Sequence, residues 1–262
     1  MIIPRFPGKF SSQPFFNPED FLAYMRRLGK LGDRPAPECV ILVYQQSLFN
    51  YIVSNRATSP AEGYFGNTVS FIDDIEGFGA GRSVAVAANF GVGAPAASVM
   101  LEELIGWGAR KFIAIGYAGS LREDVLPGSL VLCTKAFRDE GTSAHYSEDD
   151  APAAPSPALT SRLEASLRSL GMPFVKGATW TTDAIYRETP FEIKNYRDEG
   201  ALVVEMEASA LFSVGKFRSV DVAGCFSVSD TLAELAWRPE FHAEMPKNGL
   251  AKLFHAAIEA FR

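Results

Sequence analysis

The sequence predicts an α/β fold: a single domain built on a mixed, largely parallel central sheet flanked by helices. Three observations predict it. Short continuous apolar runs rich in β-branched residues, such as residues 39–44 (CVILVY) and 84–88 (VAVAA), have the form of strands buried on both faces. Stretches with helical apolar spacing alternate with these runs, which is the pattern of strand–helix–strand crossovers. Small-residue or polar segments follow several of the strands, at the sheet edge where open α/β folds bind ligands.

The elements follow in order. Residues 1–16 are rich in Pro, Phe and Ser and read as an extended arm. Asn17, Pro18, Glu19 and Asp20 form a helix start with an N-cap, a first-turn proline and acids; the helix closes at Gly29. A loop over 32–37 leads to the strand at 39–44. These first 37 residues read as an arm and helix preceding a domain over 38–262. Residues 55–65 are turn-like, and 68–72 and 84–88 are strands. A turn over 89–95 opens a helix that ends at Gly106 and Gly108. Residues 111–116 form the next strand, closed by a turn at Tyr117-Ala118-Gly119-Ser120. Further strands are expected at 128–134, 174–181 and 220–228, with the last breaking at Ser229-Asp230-Thr231. Helices are expected at 159–170, 190–199, 208–214 and 240–261, and a long surface loop at 139–157.

The totals narrow the partners. Net charge is −6, which gives no basic stripe for nucleic acid. No apolar run reaches the ~18 residues of a membrane span, and the N-terminal residues lack a signal-peptide core. Cys39, Cys133 and Cys225 are far apart in apolar surroundings and read as reduced core residues, and the three histidines lack metal-site spacing. A cytoplasmic setting without metal or cofactor is expected. His145 reads as a solvated loop residue, with His242 and His255 on the closing helix.

Chemistry gathers at strand ends. In Val203-Val204-Glu205-Met206-Glu207-Ala208 two carboxylates flank a methionine where a strand runs into a helix. Such a pair suits the helix dipole, and it equally suits a ligand rich in hydroxyls; both readings stand. Gly91-Val92-Gly93-Ala94-Pro95-Ala96 fits G-x-G-x-x-A, but no acid follows ~20 residues on, which counts against a nicotinamide enzyme. Its glycines serve either a tight turn or a set of backbone N–H groups around a sugar or anion. Asp230 caps a helix or donates a proton to a leaving group; Thr231-Leu232-Ala233-Glu234 already supplies a capping-box pattern one residue later.

Four of these stretches, in order and at matching spacing, resemble the nucleoside phosphorylase superfamily, which includes uridine phosphorylase, hexameric purine nucleoside phosphorylase and the methylthioadenosine nucleosidases. The four are Gly91 to Pro95 with Leu101 to Leu104, Phe112 to Gly119, Val204 to Ala208, and Val228-Ser229-Asp230. The resemblance covers roughly residues 38–262 and implies cleavage of the N-glycosidic bond of a nucleoside, with purine favoured by the aspartate. It implies that Glu207 binds the ribose hydroxyls, Met206 packs on the sugar, Glu205 orients the pocket, and Gly93 and Gly119 line it. Ile185 and Tyr186 would stack on the base and Asp230 would protonate purine N7. It also implies a homo-oligomer, a dimer or a hexamer; the Phe-rich arm reads as packing or subunit contact.

The departures concern the nucleophile. Where the family's phosphorylases hold phosphate, this chain has Tyr44 and Gln45 after the first strand, Ala114 inside the strand at 111–116, and Tyr117 after its glycine. Phosphate asks for charge-assisted donors; Arg56 and Arg82 are the nearby candidates. The nucleosidases' water-activating glutamate is also missing, since Gln45 and Gln46 cannot serve as bases. Three readings follow: hydrolysis, slightly favoured; phosphorolysis at a rebuilt site with phosphate as co-substrate; and nucleoside binding with little or no catalysis.

Overall fold

The computed structural model describes residues 6, 8–75 and 83–262. Its elements are α1 (Pro18–Arg27), β1 (Cys39–Val43), α2 (Gln46–Asn55), β2 (Thr58–Pro60), β3 (Val69–Ile72), β4 (Val84–Ala87), α3 (Ala94–Trp107), β5 (Lys111–Ser120) and β6 (Leu130–Asp139). Then come α4 (Pro157–Ser169), β7 (Val175–Thr182), α5 (Pro190–Asp198), β8 (Ala201–Glu205), α6 (Ala208–Arg218), β9 (Asp221–Thr231), β10 (Arg238–Pro239) and α7 (Glu244–Phe261). Short 3₁₀ turns lie at Ser143–His145 and Ile185–Arg187. No helix among the described residues is long and apolar enough to cross a membrane.

The strands form one mixed sheet in the order β10-β9-β6-β7-β8-β5-β1-β4-β3-β2. It is mixed as expected, and five of its pairings are antiparallel: β10–β9, β2–β3, β3–β4, β5–β8 and β6–β9. An extra pairing of β9 with β5 closes β5, β9, β6, β7 and β8 into a ring. β5 makes the closure possible by serving two neighbours on one side. Its first half pairs with β1 through Lys111 to Ile115, and its end pairs with β8 through Gly119 and Ser120. On its other side β9 follows it in parallel, with Gly119 opposite Asp230. The C-terminal ends of β5, β8 and β9 therefore meet.

This closure explains where sequence expectations fail. The turn at Tyr117–Ser120 and the break at Ser229–Thr231 are strand, because each finds a ladder partner that the linear sequence does not reveal. β6 likewise starts two residues late and runs on to Asp139 beside β7. The loop after it is anchored inward by Glu140, which is buried and accepts from the Ser209 hydroxyl. α2 lies where no element was expected, and β2 occupies part of the turn-like stretch. The Thr231–Glu234 capping pattern caps no helix: a turn and the short β10 follow it. α7 begins at Glu244, so His242 precedes it while His255 lies on it, and His145 is exposed. Residues 8–12 of the arm are turned rather than extended, with Ser12 N–H donating to the Gly8 carbonyl and Gly8 at φ +82°.

Apolar side chains fill both faces of the sheet. α1, α3 and α6 pack on one face, where Leu101, Phe112 and Phe212 are fully or almost fully buried. α4 and α7 cover the other with Leu163, Phe254 and Phe261. Cys39, Cys133 and Cys225 form no disulfide and are buried in these layers.

Candidate active site

The meeting point of β5, β8 and β9 is the floor of a cavity of about 480 Å³. Its lining includes Tyr44, Gln45, Tyr117, Gly119, Ile185, Tyr186, Glu205, Met206, Glu207 and Asp230. Of the expected site residues, only Gly93 is not part of that wall, and it supports the wall from behind. A larger cavity of about 570 Å³ lies between Arg138 and α6. Its acid, Asp149, is exposed and lies 3.7 Å from the Arg138 guanidinium, and it has no converging carboxylates.

The two readings of the Glu205–Glu207 stretch divide between its two acids. Helix α6 starts at Ala208, and its first N–H groups need acceptors. Glu205 Oε2 supplies them, accepting from Glu207 N and Ala208 N at 2.7 Å each. Its Oε1 accepts from the Thr181 hydroxyl at 2.5 Å and the Thr179 hydroxyl at 3.3 Å. Glu205 thus borders the cavity with both oxygens engaged internally. It acts as a buttress for the start of α6. Burial raises its pKa and the Thr181, Glu207 and Ala208 donors oppose the rise.

Glu207 is the freer of the two. Its Oε1 accepts from Gly93 N at 2.5 Å, and the Met206 backbone N–H lies near the carboxyl and also favours its charged form. Gly93 is the N-cap of α3 at φ +92°, a backbone shape that favours glycine. The Gly93 N–H therefore anchors the carboxyl while the rest of it faces the cavity. Burial, then the charge of Glu205, push the Glu207 pKa up to about 8. Next to it the Met206 methyl lies 4.0 Å from where a Gly93 Cβ would stand, and the side chain lines the same wall.

Asp230 sits across the floor. Its Oδ1 accepts from the Ser229 hydroxyl at 2.7 Å and its Oδ2 from Trp237 Nε1 at 2.9 Å. Gly119 lies directly beside it. A Cβ on Gly119 would stand 2.8 Å from Leu232 Cδ1, 3.2 Å from Asp230 Oδ2 and 3.3 Å from Val204 Cγ1. Only a residue without a side chain lets β8 and β9 approach β5 this closely.

At the third side lie Tyr44, Gln45 and Tyr117. The Tyr44 ring packs on Gly116, where an added Cβ would come within 3.1 Å of Tyr44 Cδ2. Among the described residues the Tyr44 hydroxyl, the Gln45 side-chain oxygen and the Tyr117 hydroxyl are buried without a hydrogen-bond partner in full geometry, and Ser47 lies close to the Tyr117 hydroxyl. Burial, then Glu207 and Glu205, raise the Tyr44 pKa well above the usual phenol range, so it is a neutral donor. Four lining residues are acids (Glu188, Glu205, Glu207, Asp230), and the lining contains no Lys or Arg. Arg56 is committed elsewhere, bonded to Asp74 at 2.8 Å, and Arg82 lies outside the described residues.

The mouth differs from expectation. Ile185 and Tyr186 line it from a 3₁₀ turn, but Tyr186 is 95% exposed and stands at the rim rather than forming a packed wall. Sequence reasoning missed Trp237, Phe241 and Glu188. Phe241 joins Tyr117 at 6.3 Å and Trp237 at 6.2 Å between ring centroids, which gives the cavity an aromatic side. The available signal for Glu188 was an acid directly before the Thr189–Glu192 capping box and not needed by it.

Comparison with known proteins agrees with this geometry. The family model described as "Phosphorylase superfamily" matches residues 73–259. A guanosine phosphorylase from Halorubrum lacusprofundi is 28% identical over 142 residues, covering 54% of this chain and 59% of the relative. A purine nucleoside phosphorylase of DeoD type from Exiguobacterium sp. is 30% identical over 155 residues, covering 58% and 65%. The chain thus spans less than two thirds of the length of these relatives. The solved uridine phosphorylase of Vibrio fischeri superposes with a TM-score of 0.68 at 24% identity, over 88% of this chain and 92% of that one, a likeness of fold. By the extent of the family match, with its residues framing the cavity, the chain belongs to the phosphorylase superfamily.

Proposed function

We propose that this chain cleaves the N-glycosidic bond of a purine nucleoside, with water as the attacking nucleophile. The observation that carries the reading is the division of one cavity into three chemically distinct sides. Glu207, anchored by the Gly93 N–H, offers acceptors to the 2′- and 3′-hydroxyls of a ribose. Asp230 faces the base and stabilises positive charge at N7 as the bond to C1′ breaks. Carboxylates also favour the cationic character that develops on the sugar. The third side offers only the neutral groups of Tyr44, Gln45 and Tyr117. A water molecule satisfies such groups. A phosphate dianion would meet four acids and no Lys or Arg among the described lining residues, an unfavourable balance in a site of low dielectric.

Phosphorolysis is the second reading, and the relatives favour it, since those named above are phosphorylases. The two separate in one experiment. The protein is incubated with inosine, adenosine, guanosine and uridine, with and without phosphate, and base and sugar products are followed. Free ribose released at equal rates in both conditions supports hydrolysis. Base that appears only with phosphate, together with ribose 1-phosphate, refutes it in favour of phosphorolysis. Binding of nucleoside without release of base refutes both. Faster cleavage of uridine than of the purines refutes the assignment of Asp230 to N7.

A further inference from the structure

Resting on the proposed purine cleavage, the geometry points to a second acid at the base end of the cavity: we propose that Glu188 supplies the proton that the departing purine takes up. Asp230 is built to accept. One oxygen takes the Ser229 hydroxyl proton and the other takes the Trp237 indole N–H, so both are already occupied by donors. Such a cradle holds a carboxylate that stabilises a protonated N7. Glu188 is different. It lines the same cavity from the loop between the Ile185–Arg187 turn and α5, and it makes no hydrogen bond or ion pair among the described residues. Glu192, the other acid nearby, is occupied with Thr189 at the start of α5. Glu188 is therefore the acid on this side that has no partner among the described residues.

Its surroundings favour the protonated form. Burial first, then Asp230 from β9 and Glu192 from α5, push its carboxyl up to about 7. A sizeable fraction holds its proton at neutral pH and loses it reversibly, as a general acid requires. The step balances. The Glu188 O–H bond breaks and an N–H bond forms on the base. The C1′–N9 bond breaks with its electron pair remaining on the base. A water oxygen bonds to C1′, and the surplus water proton goes to solvent, from which Glu188 is recharged.

The test compares inosine with 7-methylinosine, whose imidazole ring already carries positive charge and needs no proton. Glu188→Gln should lower kcat for inosine on the order of 10²-fold while changing kcat for 7-methylinosine by less than about 3-fold. Glu188→Asp should recover part of the inosine rate. Wild-type kcat for inosine should fall as pH rises through about 7, a limb absent both with 7-methylinosine and in Glu188→Gln. Equal losses on the two substrates would mean that Glu188 only shapes the pocket, and an unchanged inosine rate would mean that it takes no part; either overturns the proposal alone. Wild-type protein that cleaves neither substrate overturns the cleavage reading itself, and this proposal with it.

Discussion

Replacing Glu207 with glutamine should flatten a fall in the stability of the empty protein between pH 5 and pH 9. Burial and the neighbouring Glu205 charge move the Glu207 carboxyl from 4.5 to about 8. Between these values the folded chain keeps a proton that the unfolded chain has released. The folded state then binds more protons, so the free energy of unfolding declines with rising pH. The contribution is complete below about 4.5 and lost as pH passes through about 8. At ~1.36 kcal/mol per pH unit, that gap sets a ceiling of about 5 kcal/mol. Glu205 competes for the same proton, which brings the expected difference to roughly 2–4 kcal/mol. Glutamine keeps an oxygen for the Gly93 N–H and removes the titration. Urea unfolding midpoints at half-unit pH steps, without nucleoside, measure the effect in wild type and variant. Glu188 and other raised acids titrate in both proteins and cancel in the comparison. Parallel curves across the whole range would refute the placement of a buried, protonated Glu207.

Two other substitutions test the frame around that carboxyl. Glu205→Ala strands the N–H groups of Glu207 and Ala208 and the hydroxyl proton of Thr181, while the Thr179 hydroxyl keeps the Val203 carbonyl. At about 1–3 kcal/mol for each of these buried donors left unsatisfied, a loss of roughly 3–9 kcal/mol is expected in denaturant titration, and less than half of that for Glu205→Gln; a loss under about 1 kcal/mol for the alanine would disprove the buttress role. Gly119→Ala places a Cβ 3.2 Å from Asp230 Oδ2 and 2.8 Å from the movable end of Leu232. Nucleoside cleavage should fall by about 10-fold or more through displacement of Asp230, while far-ultraviolet circular dichroism is unchanged; full activity would show that the close approach does not position the acid.

Local signals carried most of the fold. Residues 39–43 and 84–87 are apolar on every position because both faces of the sheet are covered, and that reads directly from the sequence. Asn17-Pro18-Glu19-Asp20 marks α1 by cap chemistry alone, with Asp20 Oδ2 accepting from Asn17 N at 2.8 Å. Expectation failed where pairing decides. Gly116 to Ser120 has turn composition, yet it is strand because β9 on one side and β8 on the other satisfy its backbone. Those glycines reflect the neighbours' bulk: Tyr44 lies over Gly116, and Asp230 and Val204 press on Gly119. A glycine that yields space to a distant side chain looks, in sequence, like one that bends the chain.

The same limit applies to the site, and it explains which assignments held their meaning. Glu205 and Glu207 are two residues apart and were equivalent on paper. They separate because the start of α6 at Ala208 takes one oxygen of the first acid and the Thr181 and Thr179 hydroxyls of β7 take the other, leaving the second acid to face the cavity. Asp230 was legible as an acid at a strand end, but its donors Ser229 and Trp237, which fix it as an acceptor, depend on the return of the chain toward β10. Glu188 carries no motif of its own; its significance comes from having no partner among the described residues in a cavity where Asp230 and Glu205 have theirs. The residues replacing the phosphate ligands were legible as departures from a pattern. What the fold adds is their convergence: Tyr44, Gln45 and Tyr117 come from two strand ends and bring three buried, unpartnered polar atoms to the wall of one cavity. Unpartnered buried groups are costly to the fold, so a polar occupant that bonds to them is favoured there, and water meets that need without bringing charge among the four acids.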